Sequence, residues 1–463
     1  MNRYRQLAEL FKTQIKQNTW RAGEKLPSVR VTSRSHSVST GTVQQAYQLL
    51  EAQGWLTAKP QSGYFVTAEL ERLDVSMSES QPQRASVNDG LYDFLKHQAL
   101  PEVTKLGSAF PDPTLFPLDA LNRNLASAGR KMAPDSLLAN LPPGSESLRR
   151  LIAQRYIQQG MSLTHDDIVI TSGALEALNL SLQAVTEPGD TVVVESPTFY
   201  GALQAIERLG LNAIEVAVDA QDGHSLEQLA DVFERHNIKA CWLMTNFHNP
   251  TGTSLSAQKK QRVVELANQH DVYVIEDDVY AELYFSENKP VSLKSFDTQD
   301  RVLHCGSLSK SLCPGYRLGW VINKRFNEVI QKHQLISTLS GSAPIQQGIA
   351  HYLQNDSYDS HLRKLRKTLQ QRQQRFVELL EQYLPAQVDF YLPRGGYFLW
   401  LALPEGTSSK MLYQALLAEQ VTIAHGQLFS LDARFDHFLR LNTSFAIDEN
   451  VEKAIQTLSE LLH

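Results

Sequence analysis

The sequence predicts two units of different fold class: a small α+β unit at the N-terminus and a larger α/β unit after it. Helical patterns and two short β-prone runs fill residues 1–66, whereas from about residue 105 short apolar runs alternate with helical patterns. The second pattern is typical of a mainly parallel sheet flanked by helices. Charge divides the chain at the same place. Residues 1–66 hold nine Lys or Arg and three Glu, a net +6, while the whole chain carries −6, which leaves −12 for the remainder.

Length and composition exclude several classes of protein. A chain of 463 residues, 42% of them hydrophobic and 20% charged, is long enough for several globular domains. No apolar run approaches the roughly 20 residues that span a bilayer, and residues 1–16 lack a signal-peptide core. We expect no disulfide framework, no metal site and a reducing, cytoplasmic location, because the cysteines are scattered in apolar segments. They are Cys241, Cys305 and Cys313.

The basic N-terminal unit is predicted to contain three helices followed by a hairpin. Apolar residues at helical spacing place the first helix over 3–17. Ser28 is placed to cap a short second helix, and Ser39 to cap a third helix over 40–53. Residues 55–66 contain the two β-prone runs, separated by a turn that contains Pro and Gly.

This order of elements resembles the winged helix-turn-helix domain of the GntR family. The matching motifs are L-P-S-x-R from residue 26, V-S-x-x-T-V from 38, A-Y-x-x-L-E-x-x-G from 46 and S-G-Y-F-V from 62. In such a domain the N-terminal part of the third helix enters the DNA major groove. The resemblance implies that double-stranded operator DNA is contacted by Ser28, Arg30, Arg34, Thr40, Thr42, Gln44, Gln45, Ser62 and Gly63. The alternative is a small helical interaction module whose charges are solvated.

A polar segment separates the two units. Residues 68–90 are rich in Ser and Gln and show no sustained apolar periodicity, as in a flexible linker. We therefore expect a DNA-binding domain over 1–68, a linker over 69–104 and a second domain over 105–463. A small C-terminal α+β subdomain is expected to begin at about residue 345.

Five apolar runs are the predicted strands of the α/β unit. They are residues 168–170, 191–194, 213–216, 240–244 and 272–276. Ligands of such sheets bind at the carboxyl ends of the strands. Polar motifs stand at strand ends: T-S-G-A from Thr171, N-F-H-N-P-T-G from Asn246, Asp277 with Tyr280, and S-L-S-K from Ser307. Each motif alone is compatible with a turn or a solvated loop, but their order favours one shared site.

The stretch from Gly306 to Trp320, G-S-L-S-K-S-L-C-P-G-Y-R-L-G-W, indicates the chemistry of that site. A lysine amine such as that of Lys310 attacks an aldehyde only when it is deprotonated, which burial and nearby cations favour. Two serine hydroxyls and the guanidinium of Arg317 suit a phosphate dianion. An aldehyde and a phosphate on one small molecule indicate pyridoxal phosphate (PLP), bound to Lys310 as a Schiff base. For this stretch alone, an exposed loop lysine is the alternative.

Over residues 105–463 the chain resembles the fold type I, class I aminotransferases. Together with the N-terminal domain it resembles the MocR-type regulators, which join the two. The resemblance implies catalytic roles for Lys310, for Asp277 and for Tyr280. Asp277 would face the pyridine nitrogen of PLP, where an ionised carboxylate keeps that nitrogen protonated.

The same resemblance implies the other contacts of the cofactor. Asn249 and Tyr280 would donate hydrogen bonds to the phenolic oxygen, and the ring of Phe199 would stack on the pyridine, with neighbouring Tyr200 as the alternative. The phosphate would be held by Ser307, Ser309, Arg317 and the backbone N–H groups of Ala174 and Leu175.

Arg440, in the motif F-L-R-L-N from residue 438, matches the aminotransferase arginine that binds the α-carboxylate of the substrate. Planar, bidentate recognition of a carboxylate needs Arg rather than Lys. The alternative for this residue is a surface salt bridge.

Two functions follow from the resemblance. The first is a PLP-dependent, DNA-binding transcription regulator that senses PLP or an amino compound, either an amino acid or an amine. The second is an active PLP-dependent aminotransferase of an amino acid and a 2-oxo acid that carries a DNA-binding domain. A PLP-binding scaffold with neither activity is a third possibility. The basic winged helix favours the regulator, because a purely metabolic enzyme does not need it. The resemblance also implies a homodimer, and we expect no membrane partner.

Overall fold

In the structure, a computed structural model, the chain divides into two units, Met1–Ser76 and Met77–His463. The structure describes residues 3–16, 19–20, 23–52, 55–59, 63–66, 81–84, 89–133, 135, 141–219 and 223–462. Within those ranges, no helix is both long enough and apolar enough to cross a membrane.

The smaller unit has the predicted order of elements. Its described part contains α1 (Arg3–Lys16), α2 (Val29–Ser35), α3 (Thr40–Ala52) and the antiparallel strands β1 (Leu56–Lys59) and β2 (Gly63–Val66). The hydroxyl of Ser28 accepts a hydrogen bond from the N–H of Val31 at 3.4 Å and caps α2. The hydroxyl of Ser39 accepts from the N–H of Thr42 at 3.1 Å at the start of α3. The predicted caps are therefore present.

The inner face of α3 forms the core of this unit. Val43, Tyr47 and Leu50 are each 0% exposed, as their helical spacing predicts. The hydroxyl of Tyr47 donates to the carbonyl oxygen of Pro27 at 2.9 Å and lies 2.7 Å from the hydroxyl oxygen of Thr32. These contacts fix α2 against α3, so the exposed surface of both helices has a defined shape.

A mixed sheet organises the larger unit. Its strands are β3 (Gln83–Arg84), β4 (Ile168–Thr171), β5 (Thr191–Ser196), β6 (Asn212–Asp219), β7 (Gly223–His224), β8 (Ile238–Leu243), β9 (Tyr273–Asp277), β10 (Val302–Ser307) and β11 (Gly319–Ile322). The order is β3-β6-β5-β8-β9-β10-β11-β4, with β7 paired to β6. β6, β5, β8, β9 and β10 run parallel to one another. β11 is antiparallel to both β10 and β4, so β4 also runs in the common direction. The mainly parallel sheet and all five predicted strands are confirmed.

Helices cover the sheet and complete the unit. They are α4 (Asp89–Gln98), α5 (Leu118–Lys131), α6 (Glu146–Ile157), α7 (Ala174–Val185), α8 (Tyr200–Arg208), α9 (Leu226–Arg235), α10 (Ala257–Gln269), α11 (Asn327–Ser337), α12 (Ala343–Asn355), α13 (Tyr358–Tyr383), α14 (Ser409–Ala418) and α15 (Glu449–Leu462). Central strands of a sheet covered on both faces have apolar side chains on both faces. Val192, Val193 and Val194 of β5 are accordingly all 0% exposed.

A second, antiparallel sheet lies in the C-terminal part of the larger unit. Its strands are β12 (Asp389–Phe390), β13 (Phe398–Ala402), β14 (Ala424–His425) and β15 (Phe438–Asn442), in the order β12-β13-β15-β14. The ring of Trp400 on β13 stacks on that of Phe438 on β15 at a centroid distance of 5.3 Å. This packing holds β15, which carries Arg440, in the interior.

The linker expected over residues 69–104 is wrong for its C-terminal part. β3 pairs with β6 through Gln83 and Arg84, and α4 buries Leu91 and Phe94. The ring nitrogen Nδ1 of His97 lies 2.7 Å from the hydroxyl oxygen of Tyr413. The sequence pattern missed α4 because its apolar residues are few and its polar face dominates the composition. Residues 69–80 lie outside the described part of the chain.

Candidate functional site

The carboxyl ends of three neighbouring parallel strands bring predicted site residues together. β9 ends at Asp277, and β10 ends at Ser307, three residues before Lys310. β8 is followed by the segment that contains Asn249. Since β8, β9 and β10 are adjacent and parallel, these side chains converge at one edge of the sheet.

The amine of Lys310 lies in a half-buried environment. Its Nζ donates to the carbonyl oxygen of Ala109 at 2.7 Å and lies 4.4 Å from the ring centroid of Phe110. Burial, with the positive charges of Arg440 and Arg317, lowers the pKa of Lys310 to about 7. A large share of this amine is therefore neutral near pH 7, which is the form that attacks a carbonyl carbon.

Asp277 is the acidic residue of the site. Its side chain is 2% exposed, and burial together with Asp278 and Glu195 raises its pKa to about 7. Its Oδ1 has no hydrogen-bond partner among the described residues. Buried polar atoms in proteins are nearly always paired, so this oxygen suits a proton donor on a ligand. A positively charged donor would also lower the pKa of Asp277.

The start of α7 lies beside the guanidinium of Arg317. Gly173 precedes α7 with φ +101°, and a Cβ at this position would lie 2.7 Å from the guanidinium of Arg317. The first N–H groups of a helix are unpaired within the helix and favour a phosphate. The first such groups here belong to Ala174 and Leu175, the two residues expected from the sequence to contact a phosphate.

Two serine hydroxyls lie between β10 and Lys310. The Oγ of Ser307 is 2.9 Å from the Oγ of Ser309, and it also accepts a hydrogen bond from the N–H of Ser309 at 3.0 Å. Both side chains are buried. They lie at the end of β10, directly before Lys310 in the chain.

Arg440 is fully buried, which excludes the surface salt bridge considered above. Its Nη1 donates to Oδ1 of Asn249 at 2.6 Å and its Nη2 to the carbonyl oxygen of Gly107 at 2.7 Å, while its Nε has no described partner. Its guanidinium also lies over the ring of Phe398 at 4.3 Å. Burial lowers the pKa of Arg440. Since its described hydrogen-bond partners are neutral, and an uncompensated buried charge is costly, this cation favours an anionic ligand.

Aromatic residues complete the walls of the site. Tyr280 is 2% exposed, and burial raises its pKa, so its hydroxyl stays protonated near neutral pH and can donate a hydrogen bond. Phe199 stands at the start of α8, with its ring centroid 4.7 Å from that of Tyr200. Phe199 packs on the apolar cluster that contains Tyr280. The phenol of Tyr200 lies close enough to Arg440 to oppose the lowering of its pKa by burial.

Sequence reasoning missed the segment 107–110 and the residues that hold it. The side-chain amide of Asn442 donates to the carbonyl oxygens of Ser108 at 2.9 Å and Phe110 at 2.7 Å. The hydroxyl of Tyr397 donates to the carbonyl oxygen of Ala109 at 3.0 Å. One signal was available: Asn442 lies two residues beyond Arg440 on β15, so both side chains point to the same face of the strand.

In the smaller unit, most of the predicted DNA-contacting residues lie on the surface. Ser28 and Thr42 take part in the helix caps, and Thr42 is half-buried. Ser62 lies outside the described residues. The exposed members of the set are Ser28, Arg30, Arg34, Thr40, Gln44, Gln45 and Gly63. The N-terminal part of α3 therefore presents polar side chains to solvent, opposite its buried face.

Comparison with known proteins matches each unit to a family. Residues 3–66 match the model of the bacterial regulatory proteins of the gntR family, and residues 112–458 match that of the aminotransferases of class I and II. The chain belongs to the aminotransferase class I and II family and carries a GntR helix-turn-helix domain, which is the MocR-type architecture.

Relatives and solved structures show the same two similarities. The chain is 47% identical to the HTH-type transcriptional regulator YdcR of Escherichia coli K12, over 100% of this chain and 99% of that protein. It is 34% identical to the regulator YjiR of the same organism, over 100% of this chain and 99% of that protein. The kynurenine aminotransferase of Pyrococcus horikoshii is a structural neighbour with a TM-score of 0.75 and 28% identity, covering 82% of this chain and 95% of that one. Both resemblances predicted from the sequence are confirmed.

The lowered pKa of Lys310 can be measured in the protein without cofactor. We expect its labelling by an amine-directed reagent to rise with pH through a midpoint of about 7, because the amine loses its proton there. Removing the cation in Arg440→Gln should raise that midpoint, whereas Asp277→Asn should lower it, because the Asp277 carboxylate favours the charged amine. Mass spectrometry after labelling at a series of pH values gives the midpoint. A midpoint near the ordinary lysine value of about 10.4 would show that the site does not activate this amine.

Proposed function

We propose that this protein is a PLP-dependent, DNA-binding transcription regulator whose aminotransferase-like unit binds an amino compound. One observation carries the proposal. The chain that carries a winged-helix unit also holds a site in which the activated amine of Lys310 and the uncompensated cation of Arg440 contact the same short segment, at Ala109 and Gly107. Such a site suits a ligand that presents an amino group and a carboxylate together.

The residues of the site fit PLP. When bound, PLP supplies an aldehyde for an amine and a ring that withdraws electrons. The neutral amine of Lys310 is available to that aldehyde, and the unpaired Oδ1 of Asp277 suits the protonated ring nitrogen. The hydroxyl of Tyr280 and the amide of Asn249 would hold the phenolic oxygen. Phe199 would lie against the ring.

The phosphate would lie at the start of α7. The N–H groups of Ala174 and Leu175, the guanidinium of Arg317 and the hydroxyls of Ser307 and Ser309 supply its contacts. Gly173 leaves room there that a side chain would fill. The positive end of the helix and the guanidinium both stabilise a dianion.

Arg440 would bind the carboxylate of the amino compound. Its Nε is unpaired and its other donors contact neutral oxygens. If a carboxylate replaces these neutral oxygens, its negative charge compensates the buried guanidinium. The same contact would therefore bind the ligand and stabilise the site. A planar guanidinium also fixes the orientation of the ligand relative to Lys310.

The smaller unit would bind DNA through α3 and its neighbours. Thr40, Gln44 and Gln45 at the exposed start of α3 suit the bases of the major groove. Arg30 and Arg34 on α2 suit the phosphates, which position a protein on DNA without reading its sequence. The ligand regulates only if it binds two states of the protein with different affinity.

A homodimer and a cytoplasmic location belong to the same proposal. The dimer is the assembly that the resemblance to the class I aminotransferases implies. The cysteines are unpaired, which suits a reducing compartment that contains DNA. Sedimentation equilibrium measures the subunit number directly, and a monomer at micromolar concentration would exclude the dimer.

The phosphate site can be tested with a pair of glycine substitutions. Gly173→Ala places a methyl group 2.7 Å from the guanidinium of Arg317, so we expect PLP to bind at least about tenfold more weakly. Gly189→Ala is the matched control, because Gly189 has a similar φ of +96° and nothing within 4 Å of the added methyl group. Titration with PLP, followed by absorbance, gives both affinities. Equal loss in the two variants would indicate backbone strain and would count against a phosphate site here.

DNA binding can be tested with two glutamines of the same helix. Gln44→Ala is expected to weaken binding to DNA from upstream of the protein's own gene by about 1–3 kcal/mol. Gln48→Ala, also exposed but one turn further from the start of α3, should have a much smaller effect. Fluorescence anisotropy at several salt concentrations gives the affinities, and the affinity should fall as salt rises. Absence of a specific, salt-sensitive complex would contradict the regulator. Rapid turnover of amino acids with 2-oxo acids would instead support the aminotransferase.

A further inference from the structure

We propose that the larger unit selects α-amino acids with a large, aromatic side chain, which packs against the ring of Phe110. The inference rests on the proposed function, because it takes Lys310 and Arg440 as the residues that hold the amino and carboxylate groups of the ligand. It adds the class of side chain and the residue that recognises it.

Phe110 is unusual among the aromatic residues of the site because it is exposed. Its side chain is 48% exposed, whereas Tyr280, Phe398 and Phe429 are at most 2% exposed. Its ring nevertheless lies 4.4 Å from Nζ of Lys310, the atom that would react. An apolar ring that borders a polar, reactive group and faces open space is typical of a ligand-contacting wall.

The backbone that carries this ring is held by hydrogen bonds on both sides. The N–H of Phe110 donates to the hydroxyl of Ser108 at 3.0 Å, and its carbonyl oxygen accepts from the amide of Asn442 at 2.7 Å. Asn442 is fully buried and lies on the same strand as Arg440. A wall that is fixed before the ligand arrives loses little conformational entropy on binding, which strengthens selection by shape.

The positions of the ligand's amino and carboxylate groups determine where its side chain begins. Gly107 accepts a hydrogen bond from Arg440, and Ala109 accepts one from Lys310, so the two cations lie against positions two residues apart. The amino and carboxylate groups of an α-amino acid share one carbon. That carbon must therefore lie beside the segment 107–110, and its side chain begins within reach of Phe110.

The charges of the site disfavour an acidic side chain. Two cations, Arg440 and Arg317, lower the pKa of Lys310. The carboxylate of the ligand would pair with Arg440, and the phosphate of PLP would pair with Arg317. A second carboxylate would meet the negatively polarised face of the Phe110 ring. An aromatic side chain instead gains burial and an edge-to-face or offset contact with Phe110.

The test compares amino acids on the PLP-loaded protein. Phenylalanine, leucine, alanine and glutamate are titrated, with the absorbance of bound PLP and, separately, the thermal unfolding midpoint as readouts. We expect phenylalanine to bind about tenfold or more tightly than alanine, and glutamate to bind more weakly than alanine. Phe110→Ala should abolish the preference for phenylalanine over alanine. Phe110→Leu should keep a preference for large side chains but lose the advantage of phenylalanine over leucine.

Met411→Ala is the matched control, because Met411 is a 71% exposed apolar residue on α14. It should keep the selectivity of the parent protein. Equal affinity for phenylalanine and alanine, or tighter binding of glutamate than of alanine, overturns the inference. If the PLP absorbance is intact in that experiment, the proposed function still stands. Absence of PLP absorbance overturns the proposed function itself. Retained selectivity in Phe110→Ala would show that another residue recognises the side chain.

Discussion

The site depends on a buried guanidinium whose charge the protein does not neutralise with a described carboxylate. Arg440 sits on β15 with 0% exposure and is held by the neutral oxygens of Asn249 and Gly107. Burial of a cation in this way costs several kcal/mol unless an anion compensates it. Through these contacts Arg440 connects β15 to the segment that follows β8 and to Gly107. That cost is tolerable for a site that receives an anion.

The same cation sets the chemistry of its neighbours. Arg440 lowers the pKa of Lys310, and Asp277 opposes that shift. Burial and other carboxylates raise the pKa of Asp277 to about 7, the same value as for Lys310. The amine and the acid are thus both close to their titration midpoints near neutral pH. A positively charged ligand group at Asp277 lowers the pKa of that carboxyl and favours its ionised form, whereas an anion at Arg440 offsets part of the effect that this cation has on the pKa of Lys310.

Much of this arrangement follows from patterns along the chain. Apolar runs that alternate with helical patterns predict a mainly parallel sheet, and a motif that follows such a run lies at the carboxyl edge of that sheet. This reasoning places Asn249, Asp277 and Lys310 at one edge. The caps at Ser28 and Ser39 follow from local hydrogen bonding. Such features depend on residues a few positions apart.

The remainder depends on contacts that no local pattern contains. Asn442 holds Phe110 across 332 positions, and Arg440 meets Asn249 across 191. The sequence pattern predicts a linker where α4 lies, because only the tertiary packing of Leu91 and Phe94 distinguishes this helix from a polar segment. The exposure of Phe110 depends on which side chains pack around it.

The central claim is that Lys310 captures PLP within this site. The visible absorption spectrum of the purified protein with added PLP tests it most directly, beside Lys310→Ala and the surface control Lys332→Ala, whose lysine pairs with Glu328 on the exposed side of α11. The account predicts a yellow protein whose band is lost in Lys310→Ala and kept in Lys332→Ala. A colourless parent protein, or an unchanged band in Lys310→Ala, would contradict it.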